Sequence, residues 1–403
     1  MTLNNVKEIF DTYKLHSKEI EIPLEQIKRE LKPYENKIVL YGAGSAGIAF
    51  LHYLKDAEII PRYFADGDKE KHGKICEGLE IIAPETIIER IGSDALVIVT
   101  INTDGQNYCK DFKKELLAGG HQGVHKHLRE CGCVNVIDYV YFRRCYQLFR
   151  GEKYNLPACS DVYFMLENQD MIEKAFSVME SERAKATFLK LLEFRMLTDR
   201  VDIPTSPEKG MYFEYDFFQR KDDEVFIDCG ACGGSSLSEF LEINHHFKAY
   251  YGIEPDPTNF DKLEKFISCL SESDRGKMKI YNAAAYAHNK GTNFFILNGP
   301  GSFQAENGTD KVKTIKYCGF VNANQMHKEA ATYIKMNIEG SEVSALRGAE
   351  YTIRNYYPRM AIMGYHKTSD LWKVPLLIKE YYGDYHLELR SYMRNVAFTY
   401  YAF

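Results

Sequence analysis

The sequence predicts an α/β protein with two parallel-sheet domains and a helical segment between them. At two places, residues 38–54 and 225–240, a short apolar run leads directly into a glycine-rich turn and then into a helical pattern. Further apolar runs alternate with helical patterns behind each of these starts. Such alternation implies a parallel sheet with helices on its faces. The expected class is α/β, with a larger C-terminal Rossmann-like sheet and a smaller N-terminal one.

Four regions follow one another along the chain. Residues 1–35 are polar with helical spacing, 36–150 form the first sheet domain, 151–215 the helical connector, and 216–403 the second sheet domain. A length of 403 residues suits more than one domain, because single cores rarely grow so large.

The elements of the first half follow from apolar runs and their breaks. We expect strands at Ile38–Tyr41, Arg62–Ala65 and Ala95–Thr100, with a helix at Ile48–Leu54 after the first strand. One long helix is predicted at Met171–Leu197, because Pro204 and Pro207 interrupt the pattern beyond it.

The second half repeats the strand and helix alternation. One helix is expected after the second glycine turn, ending at Phe240, and another at Phe260–Leu270. The predicted strands are Val225–Asp228, Tyr250–Glu254, Lys279–Asn282, Tyr333–Met336, Met360–Gly364, Leu387–Arg390 and Val396–Tyr401.

Composition and charge exclude several classes of partner. A net charge of -6 gives no general attraction to nucleic acid. No stretch reaches the roughly 18 apolar residues of a spanning helix, and the first ten residues contain no apolar run typical of a signal peptide. Ten cysteines in a chain of this length favour a reducing compartment. We therefore expect a cytoplasmic protein without membrane insertion, and a homo-oligomer is compatible with these features.

The first glycine turn matches the GxGxxG pattern of dinucleotide-binding folds. Gly42, Gly44 and Gly47 stand between a strand and a helix, and Asp66 ends the next strand about 19 residues later. This pattern leaves two hypotheses open: a second nucleotide site, NAD included, or a purely structural turn. The turn is also similar to small Rossmann-like domains of polysaccharide-biosynthesis proteins, often without a known ligand.

The second glycine turn is followed by polar residues at the ends of the next two strands. Asp228 begins a glycine-rich turn, Glu254 ends the second strand about 26 residues later, and Asn282 ends the third. An acid at the second position can accept ribose hydroxyls. This order predicts a nucleoside ligand across the carboxyl ends of adjacent strands.

Residues 224–403 closely resemble the FkbM-type methyltransferase family. The motifs that carry the resemblance are Phe226–Ala231, Glu254–Phe260, Ile334–Glu342, Leu346–Ala349, Tyr365–Lys367, Asp370–Leu371 and Leu389–Arg390. The resemblance implies a class I methyltransferase fold that binds S-adenosylmethionine and methylates oxygen on sugars or natural products.

The resemblance also implies roles for individual residues. Asp228, Gly230, Ala231 and Gly233 would line the methionine end of the cofactor. Glu254 would hold the ribose with Asp256 close by, and Asn282 with Ala283 would face the adenine.

The chain departs from the family at Asn337, where an aspartate is usual. Asparagine can donate and accept hydrogen bonds, but it cannot act as a general base. The segment Gly319–Asn324 also lacks an acid expected there. Either the contacts with the substrate differ, for which Asn337, Lys335 and Lys367 are candidates, or the domain is a non-catalytic binding protein.

Two residues are candidates for catalysis of methyl transfer. An alcohol is a poor nucleophile, so a base within hydrogen-bond reach would assist it. His366 follows the predicted Met360–Gly364 strand at the expected cofactor end of the sheet, although a local hydrogen-bonding or substrate-binding role is equally compatible. Glu339 is the other candidate, as base or as a ligand for substrate hydroxyls; helix capping is its structural alternative.

Cysteine and histidine groups in the chain do not indicate a metal site. His121, His125, His127, Cys131 and Cys133 form a dense run, but three nearby glycines favour an ordinary loop over a helix. Cys229 and Cys232 lie inside the second glycine turn, with no second pair near them in sequence.

The sequence therefore predicts an O-methyltransferase that uses S-adenosylmethionine on a small-molecule or glycan acceptor. The alternatives are an NAD-dependent oxidoreductase based on the first glycine turn, and a non-catalytic nucleotide-binding or scaffolding protein.

Overall fold

A computed structural model describes most of the chain. The described residues are 4–101, 111–118, 122–151, 153–154, 156, 159–197, 203–207, 209–214, 221–296, 302–304, 310–315, 330–392 and 397–403. The chain divides into two compact units, one of residues 1–169 and 190–202 and the other of residues 170–189 and 203–403. The predicted connector, 151–215, is thus divided between the two units.

The N-terminal unit contains a six-stranded sheet. Its strands are β1 (Ile38–Tyr41), β2 (Tyr63–Ala65), β3 (Ile75–Cys76), β4 (Leu79–Ile82), β5 (Leu96–Val99) and β6 (Asn135–Asp138). They lie in the order β3-β4-β2-β1-β5-β6, and all neighbours are parallel except β3 and β4. When the five parallel strands β1, β2, β4, β5 and β6 are numbered 1 to 5 along the chain, their order in the sheet is 3-2-1-4-5, as in doubly wound folds.

Helices precede, connect and follow these strands. They are α1 (Val6–Ile20), α2 (Leu24–Leu31), α3 (Ser45–Asp56), α4 (Ile87–Ile91), α5 (Phe112–Ala118), α6 (Gln122–Glu130) and α7 (Val162–Glu167). Helix α1 buries Val6, Ile9, Phe10 and Tyr13, which share one face at helical spacing. The side chain of Asn5 accepts a hydrogen bond from the backbone N–H of Glu8 and caps its first turn.

Two sequence predictions in this part of the chain are wrong. The loop predicted for the histidine and cysteine run is helical at His125 and His127, which lie in α6, whereas Cys131 and Cys133 follow the helix. Gly123 lies in the first turn of α6, where a glycine does not prevent a helix. The single helix predicted at Met171–Leu197 is two helices, α8 (Gln169–Ser177) and α9 (Glu182–Leu197).

The C-terminal unit is organised around a seven-stranded sheet. Its strands are β7 (Glu224–Cys229), β8 (Phe247–Ile253), β9 (Met278–Tyr281), β15 (Tyr333–Met336), β16 (Arg359–Met363), β17 (Leu387–Tyr392) and β18 (Ala397–Ala402). The order is β17-β18-β16-β15-β7-β8-β9; the strands from β9 to β16 are parallel, and β18 is antiparallel to both of its neighbours. The carboxyl ends of β7, β8, β15 and β16 therefore meet at one edge of the sheet.

Helices and two small sheets complete this unit. The helices after β7 are α10 (Ser235–Ile243), α11 (Pro257–Ser268), α12 (Glu272–Arg275), α13 (Glu342–Tyr356) and α14 (Asp370–Tyr381). The short strands are β10 (Ala284–Ala285), β11 (Thr292–Phe295), β12 (Phe303–Gln304), β13 (Asp310–Val312) and β14 (Thr314–Ile315). Strand β10 pairs with β14, and β11 pairs with β12 and β13.

Aromatic side chains fill one face of the C-terminal sheet. Phe226 packs against Phe213, Phe240, Tyr250 and Tyr333, with ring centroids 4.8 to 5.7 Å apart. Full burial of each such side chain contributes about 1.5–3 kcal/mol. This core fixes β7 and β15, the two strands that precede the second glycine turn and Asn337. In the described part of the chain, no helix is both long enough and apolar enough to cross a membrane.

Candidate functional site

The second glycine turn joins β7 to α10 through residues with left-handed backbone. Gly230, Gly233 and Gly234 have φ angles of 78°, 71° and 96°. A Cβ atom on Gly230 would also overlap the carbonyl oxygen of Asn337, so the close approach of β15 to the turn requires glycine there. Ala231, predicted beside the cofactor, is fully buried in the core behind the turn.

A buried ion pair between Lys335 and Asp228 stabilises this turn. The Nζ atom of Lys335 lies 2.9 Å from Asp228 Oδ1 and 2.7 Å from the carbonyl oxygen of Gly230. Asp228 also accepts hydrogen bonds from Ser236 Oγ at 2.5 Å and Tyr250 Oη at 3.1 Å. Burial alone would lower the pKa of Lys335, but the Asp228 carboxylate raises it above its ordinary value. Both charged groups hold the turn in place, and neither lines the cleft described below.

Glu254 connects the end of β8 to the glycine turn. Its Oε2 atom accepts a hydrogen bond from the backbone N–H of Cys232 at 2.9 Å, and Oε1 accepts one from the N–H of Asp256 at 3.0 Å. The residue is 4% exposed, and burial raises the pKa of its carboxyl group. The carboxylate has further lone pairs that can accept hydrogen bonds from a ligand.

Asp256 and Asn282 have structural contacts instead of facing the cleft. Asp256 caps α11 by accepting the N–H of Asn259, and its second oxygen accepts Ser302 Oγ at 2.6 Å. The amide of Asn282 donates to the carbonyl oxygens of Glu254 and Pro255, at 3.0 and 3.2 Å.

A cleft opens above the glycine turn. It encloses about 660 Å³, open solvent included, within the range of small-molecule sites. Its lining residues are Gly230, Cys232, Ile253, Glu254, Pro255, Asn259, Ala284, Ala285, Phe294, Ser302, Asn337, Ile338, Glu339 and Ser341. Gly230, Glu254, Asn337 and Glu339 were predicted from the sequence. Ala284 and Ala285 line the cleft, whereas Asn282 and Ala283, which were predicted to face the adenine, are not among its lining residues.

Two polar atoms of the lining have no hydrogen-bond partner among the described residues. They are Ser341 Oγ and Asn337 Oδ1, and both are buried. Buried polar groups in proteins are normally hydrogen-bonded, so such a pair in a cleft wall fits a polar ligand.

Tyr212 is a contact of the site that the sequence prediction missed. Asn337 Nδ2 donates to Tyr212 Oη at 2.9 Å, and the Lys335 ammonium lies 4.9 Å from the centroid of the Tyr212 ring. The carbonyl oxygen of Tyr212 in turn accepts the hydroxyl of Tyr333. Tyr212 precedes the first strand of this unit and belongs to no motif, so only the folded chain reveals its position.

His366 lies in a buried cluster of charged groups behind the cleft. Its side chain is fully buried, with Nδ1 2.8 Å from Glu342 Oε1 and Nε2 3.7 Å from Glu339 Oε2. Burial lowers the pKa of His366, but Glu342 more than offsets this effect and raises it to about 9. An imidazole that is protonated at neutral pH cannot accept a proton, so the predicted role of His366 as a general base does not fit this arrangement.

The remaining residues of this cluster surround the same histidine. Asp370 Oδ2 accepts the backbone N–H of Lys367 at 2.9 Å, and burial raises the pKa of Asp370 to about 7. Potential ligand atoms of Glu342, His366 and Asp370 all lie within 4.8 Å of one another. The Lys367 side chain is half-buried and passes close to Gly340.

The first glycine turn has the same local plan in the N-terminal unit. Gly42 has a φ angle of 111°, and a Cβ on Gly47 would overlap the carbonyl oxygen of Gly42, whereas Gly44 has open space around it. Asp66 Oδ2 accepts the N–H of Ala43 and the ammonium of Lys71, both at 2.9 Å. Nucleotide binding at this turn stays a prediction.

Two further sequence predictions concern other segments. His125 Nε2 lies 3.2 Å from Asp138 Oδ1, and both side chains are buried. His121 and the segment Gly319–Asn324 lie outside the described residues.

Residues 228–400 match the family model of the methyltransferase FkbM domain. No curated protein matches the chain significantly. The crystal structure of a methyltransferase FkbM from Methylobacillus flagellatus KT is similar over 99% of this chain and 100% of its own, with 18% identity and a TM-score of 0.64. At that identity, the comparison shows a shared fold.

Two other solved structures are similar over part of the chain. An rRNA methylase from Streptococcus thermophilus covers 45% of this chain and 87% of its own, with 12% identity and a TM-score of 0.28. Aeropyrum pernix fibrillarin covers 49% and 74%, with 11% identity and a TM-score of 0.30. These scores are too low to support an argument, and the assignment rests on the family match, the sheet order and the M. flagellatus fold. The C-terminal region of this chain, residues 228–400, is a methyltransferase FkbM domain with a class I methyltransferase fold.

Proposed function

We propose that this methyltransferase uses S-adenosylmethionine to methylate a hydroxyl oxygen of a carbohydrate, a glycoconjugate or a related metabolite. The observation that carries the cofactor assignment is the position of Glu254. Its carboxylate lines the cleft at the carboxyl end of β8, directly beside the glycine turn. An acid in this position is the ribose ligand of nucleoside-binding α/β folds.

The lining of the cleft fits the parts of such a cofactor. Gly230 allows close approach of the methionine end to the backbone, and Glu254 can accept the ribose hydroxyls. The apolar side chains of Ile253, Ala284 and Phe294 suit the adenine. The bound cofactor would supply a methyl group already activated by its sulfonium.

The unpartnered polar atoms point to the same ligand chemistry. Asn337 Oδ1 can accept a hydrogen bond, and Ser341 Oγ can donate or accept one. A ligand with an amino group, a carboxylate and several hydroxyls would satisfy both atoms. The family usually has aspartate at position 337. Asparagine lacks the carboxylate, but its amide oxygen can still accept a hydrogen bond from a polar ligand.

Glu339 is the proposed base for the acceptor hydroxyl. It lines the cleft, and its carboxylate lies on the side of the cleft nearest to His366. Glu339 has a φ angle of 53° and is followed by Gly340 at 90°, a backbone conformation that costs about 1–3 kcal/mol in a residue other than glycine. We infer that His366 positions this carboxylate rather than accepting the proton itself. Most of the rate gain would come from in-line alignment of the acceptor oxygen.

Calorimetric titration of the full chain with S-adenosylhomocysteine tests the cofactor assignment. We expect saturable binding at one site per chain. Absence of binding would overturn the methyltransferase proposal for this cleft. Titration of the same preparation with NAD tests the oxidoreductase alternative, which requires binding to the first glycine turn.

Transfer of a labelled methyl group to a panel of sugars and glycoconjugates tests the acceptor class. Incorporation that depends on Glu339 is the expected result. Cofactor binding with no transfer to any acceptor of the panel would favour the non-catalytic alternative.

A further inference from the structure

Helix α6 and the residue after it bring together two side chains for which the sequence predicts a loop. His127 and Cys131 are four residues apart, so the helix and its last turn present them on one face. Cys131 Sγ lies 3.9 Å from His127 Nε2, and Glu85 Oε1 lies 3.8 Å from the same nitrogen. Potential ligand atoms of all three residues lie within 4.8 Å of one another. All three belong to the N-terminal unit.

These separations are close to those around a tetrahedral zinc ion. With Zn–S near 2.3 Å and Zn–N near 2.0–2.1 Å, tetrahedral geometry places the sulfur and the nitrogen about 3.5 Å apart, and the nitrogen and a carboxylate oxygen about 3.4 Å apart. The observed distances exceed these values by only a few tenths of an ångström. The His127 and Glu85 side chains are 42% and 65% exposed, so both can adjust by that amount.

We propose that Glu85, His127 and Cys131 form a zinc site, with the fourth coordination position open to water or another ligand. A set of one thiolate, one imidazole and one carboxylate matches the ligand preference of zinc. Three protein ligands with an open position are typical of sites at which the ion also binds an exogenous group.

The electrostatic surroundings favour a cation at this place. Burial raises the pKa of the Cys131 thiol, and the neighbouring Glu85 and Glu130 raise it further. Cys131 and Glu85, together with Asp66, also act on Tyr41, whose pKa is raised by its burial in the first place. Tyr41 ends β1 immediately before the first glycine turn, so the proposed site lies close to that turn. A divalent ion would offset this accumulation of negative charge and deprotonate the thiol.

The ion-pair contact alone does not account for the cluster. An exposed histidine and glutamate at 3.8 Å stabilise a fold very little, and only when the histidine is protonated. The contact between His127 and Glu85 also does not explain why Cys131 lies beside both side chains. A metal ion uses all three groups.

Cobalt(II) is the probe that separates this site from the other ligand cluster found among the described residues, which is Glu342, His366 and Asp370. Thiolate ligation to cobalt produces a charge-transfer absorption that nitrogen and oxygen ligands do not. The cluster of Glu342, His366 and Asp370 contains no sulfur, so it cannot produce that band. Titration of the metal-free full chain with cobalt chloride should give the band at one equivalent, and zinc should remove it by displacement.

Three variants test the assignment to these residues. Cys131→Ser should abolish the band, and Glu85→Gln should weaken cobalt binding at least tenfold. Cys269→Ser, which alters an exposed cysteine outside the two described ligand clusters, should leave the band unchanged. No band in the wild-type chain, or a band that persists in Cys131→Ser, would overturn the proposal. Should Cys131→Ser fail to fold, an unchanged cobalt affinity in Glu85→Gln would overturn it equally.

Discussion

Glu254 accepts a hydrogen bond at 2.9 Å from the backbone N–H of Cys232, which lies in the glycine turn after the preceding strand. Asp66 holds the N–H of Ala43 at the same distance in the first glycine turn. Asp66 follows β2 and binds the glycine turn after β1. Glu254 follows β8 and binds the glycine turn after β7. The two turns differ in what else their acid contacts. Glu254 lines a cleft, whereas Asp66 is paired with Lys71.

Glu254→Gln should weaken S-adenosylhomocysteine binding strongly. The substitution keeps the size of the side chain but removes the charge that we propose accepts the ribose hydroxyls. Hydrogen bonds to charged groups contribute about 1.5–3 kcal/mol, so we expect a loss of roughly 10- to 100-fold in Kd by calorimetry.

Asp66→Asn is the matched control, because it makes the same change at the other glycine turn. Binding of S-adenosylhomocysteine should stay within about twofold of wild type. If Asp66→Asn weakened binding and Glu254→Gln did not, the cofactor would belong to the first turn.

All seven strands of the C-terminal sheet, strands β1, β2 and β5 of the N-terminal sheet and both glycine turns could be predicted, because buried strands are continuous apolar runs. Strands β3, β4 and β6 were not predicted. The predictions Ile38–Tyr41 and Tyr333–Met336 match β1 and β15 at both ends, and the other predicted strands differ from the observed ones by a few residues. The three glycines at positions 119, 120 and 123 predict a loop at the histidine and cysteine run, yet Gln122–Glu130 is a helix. A glycine in the first turn of a helix does not prevent its formation.

The site could be predicted only where a motif fixes the backbone. Gly230 and Glu254 follow from strand ends, and both line the cleft. The role of His366 could not be judged from the sequence, because Glu342, the carboxylate that raises its pKa against the effect of burial, lies 24 positions earlier. Tyr212 lies outside every motif, and it reaches Asn337 through the packing of aromatic side chains against β7 and β15.

Lys335→Met should destabilise the C-terminal unit without a direct effect on substrate binding. Methionine keeps most of the aliphatic volume but leaves the buried Asp228 carboxylate without its cation. Loss of one partner of a buried ion pair costs about 3–5 kcal/mol. Urea unfolding followed by tryptophan fluorescence measures the change, since Trp372, the single tryptophan of the chain, is buried in this unit.

Lys367→Met provides the comparison for Lys335. Its side chain is half-buried, so its unfolding free energy should change by no more than about 0.5 kcal/mol. An unfolding curve of Lys335→Met that coincides with that of wild type would contradict the structural role and return Lys335 to the candidate substrate ligands.

His366 should remain protonated well above neutral pH. Burial opposes its charge, but Glu342 and then Glu339 favour it, and the resulting pKa is about 9. Because this value is raised above that of an unfolded histidine, near 6.5, the pair contributes stability that is fully present below about pH 6.5 and is lost as the pH rises through 9. Each pKa unit corresponds to about 1.4 kcal/mol.

Titration of the histidine ring signals by nuclear magnetic resonance measures this pKa directly. The signal that disappears in His366→Gln is that of His366, and its midpoint should lie near 9. A midpoint near 6.5 would mean that the imidazole is free to accept a proton at neutral pH, and it would restore His366 as the base.

Two alanine substitutions in the first glycine turn should destabilise the protein to different extents. A Cβ on Gly47 overlaps the backbone carbonyl of Gly42, which cannot move without breaking the turn, whereas no atom lies within 4 Å of a Cβ on Gly44. Gly44 also has a φ angle of -119°, which alanine adopts readily. Gly44→Ala should therefore cost no more than about 1 kcal/mol, the usual effect of a poorer helix cap. Gly47→Ala should cost about 3 kcal/mol or more. Thermal unfolding compares the two variants, and equal losses would contradict this view of the turn.

The open space at Gly44 is also where a nucleotide phosphate would approach the backbone. NAD binding that is present in wild type and absent from a stable Gly44→Ala variant would therefore assign a ligand to the N-terminal unit.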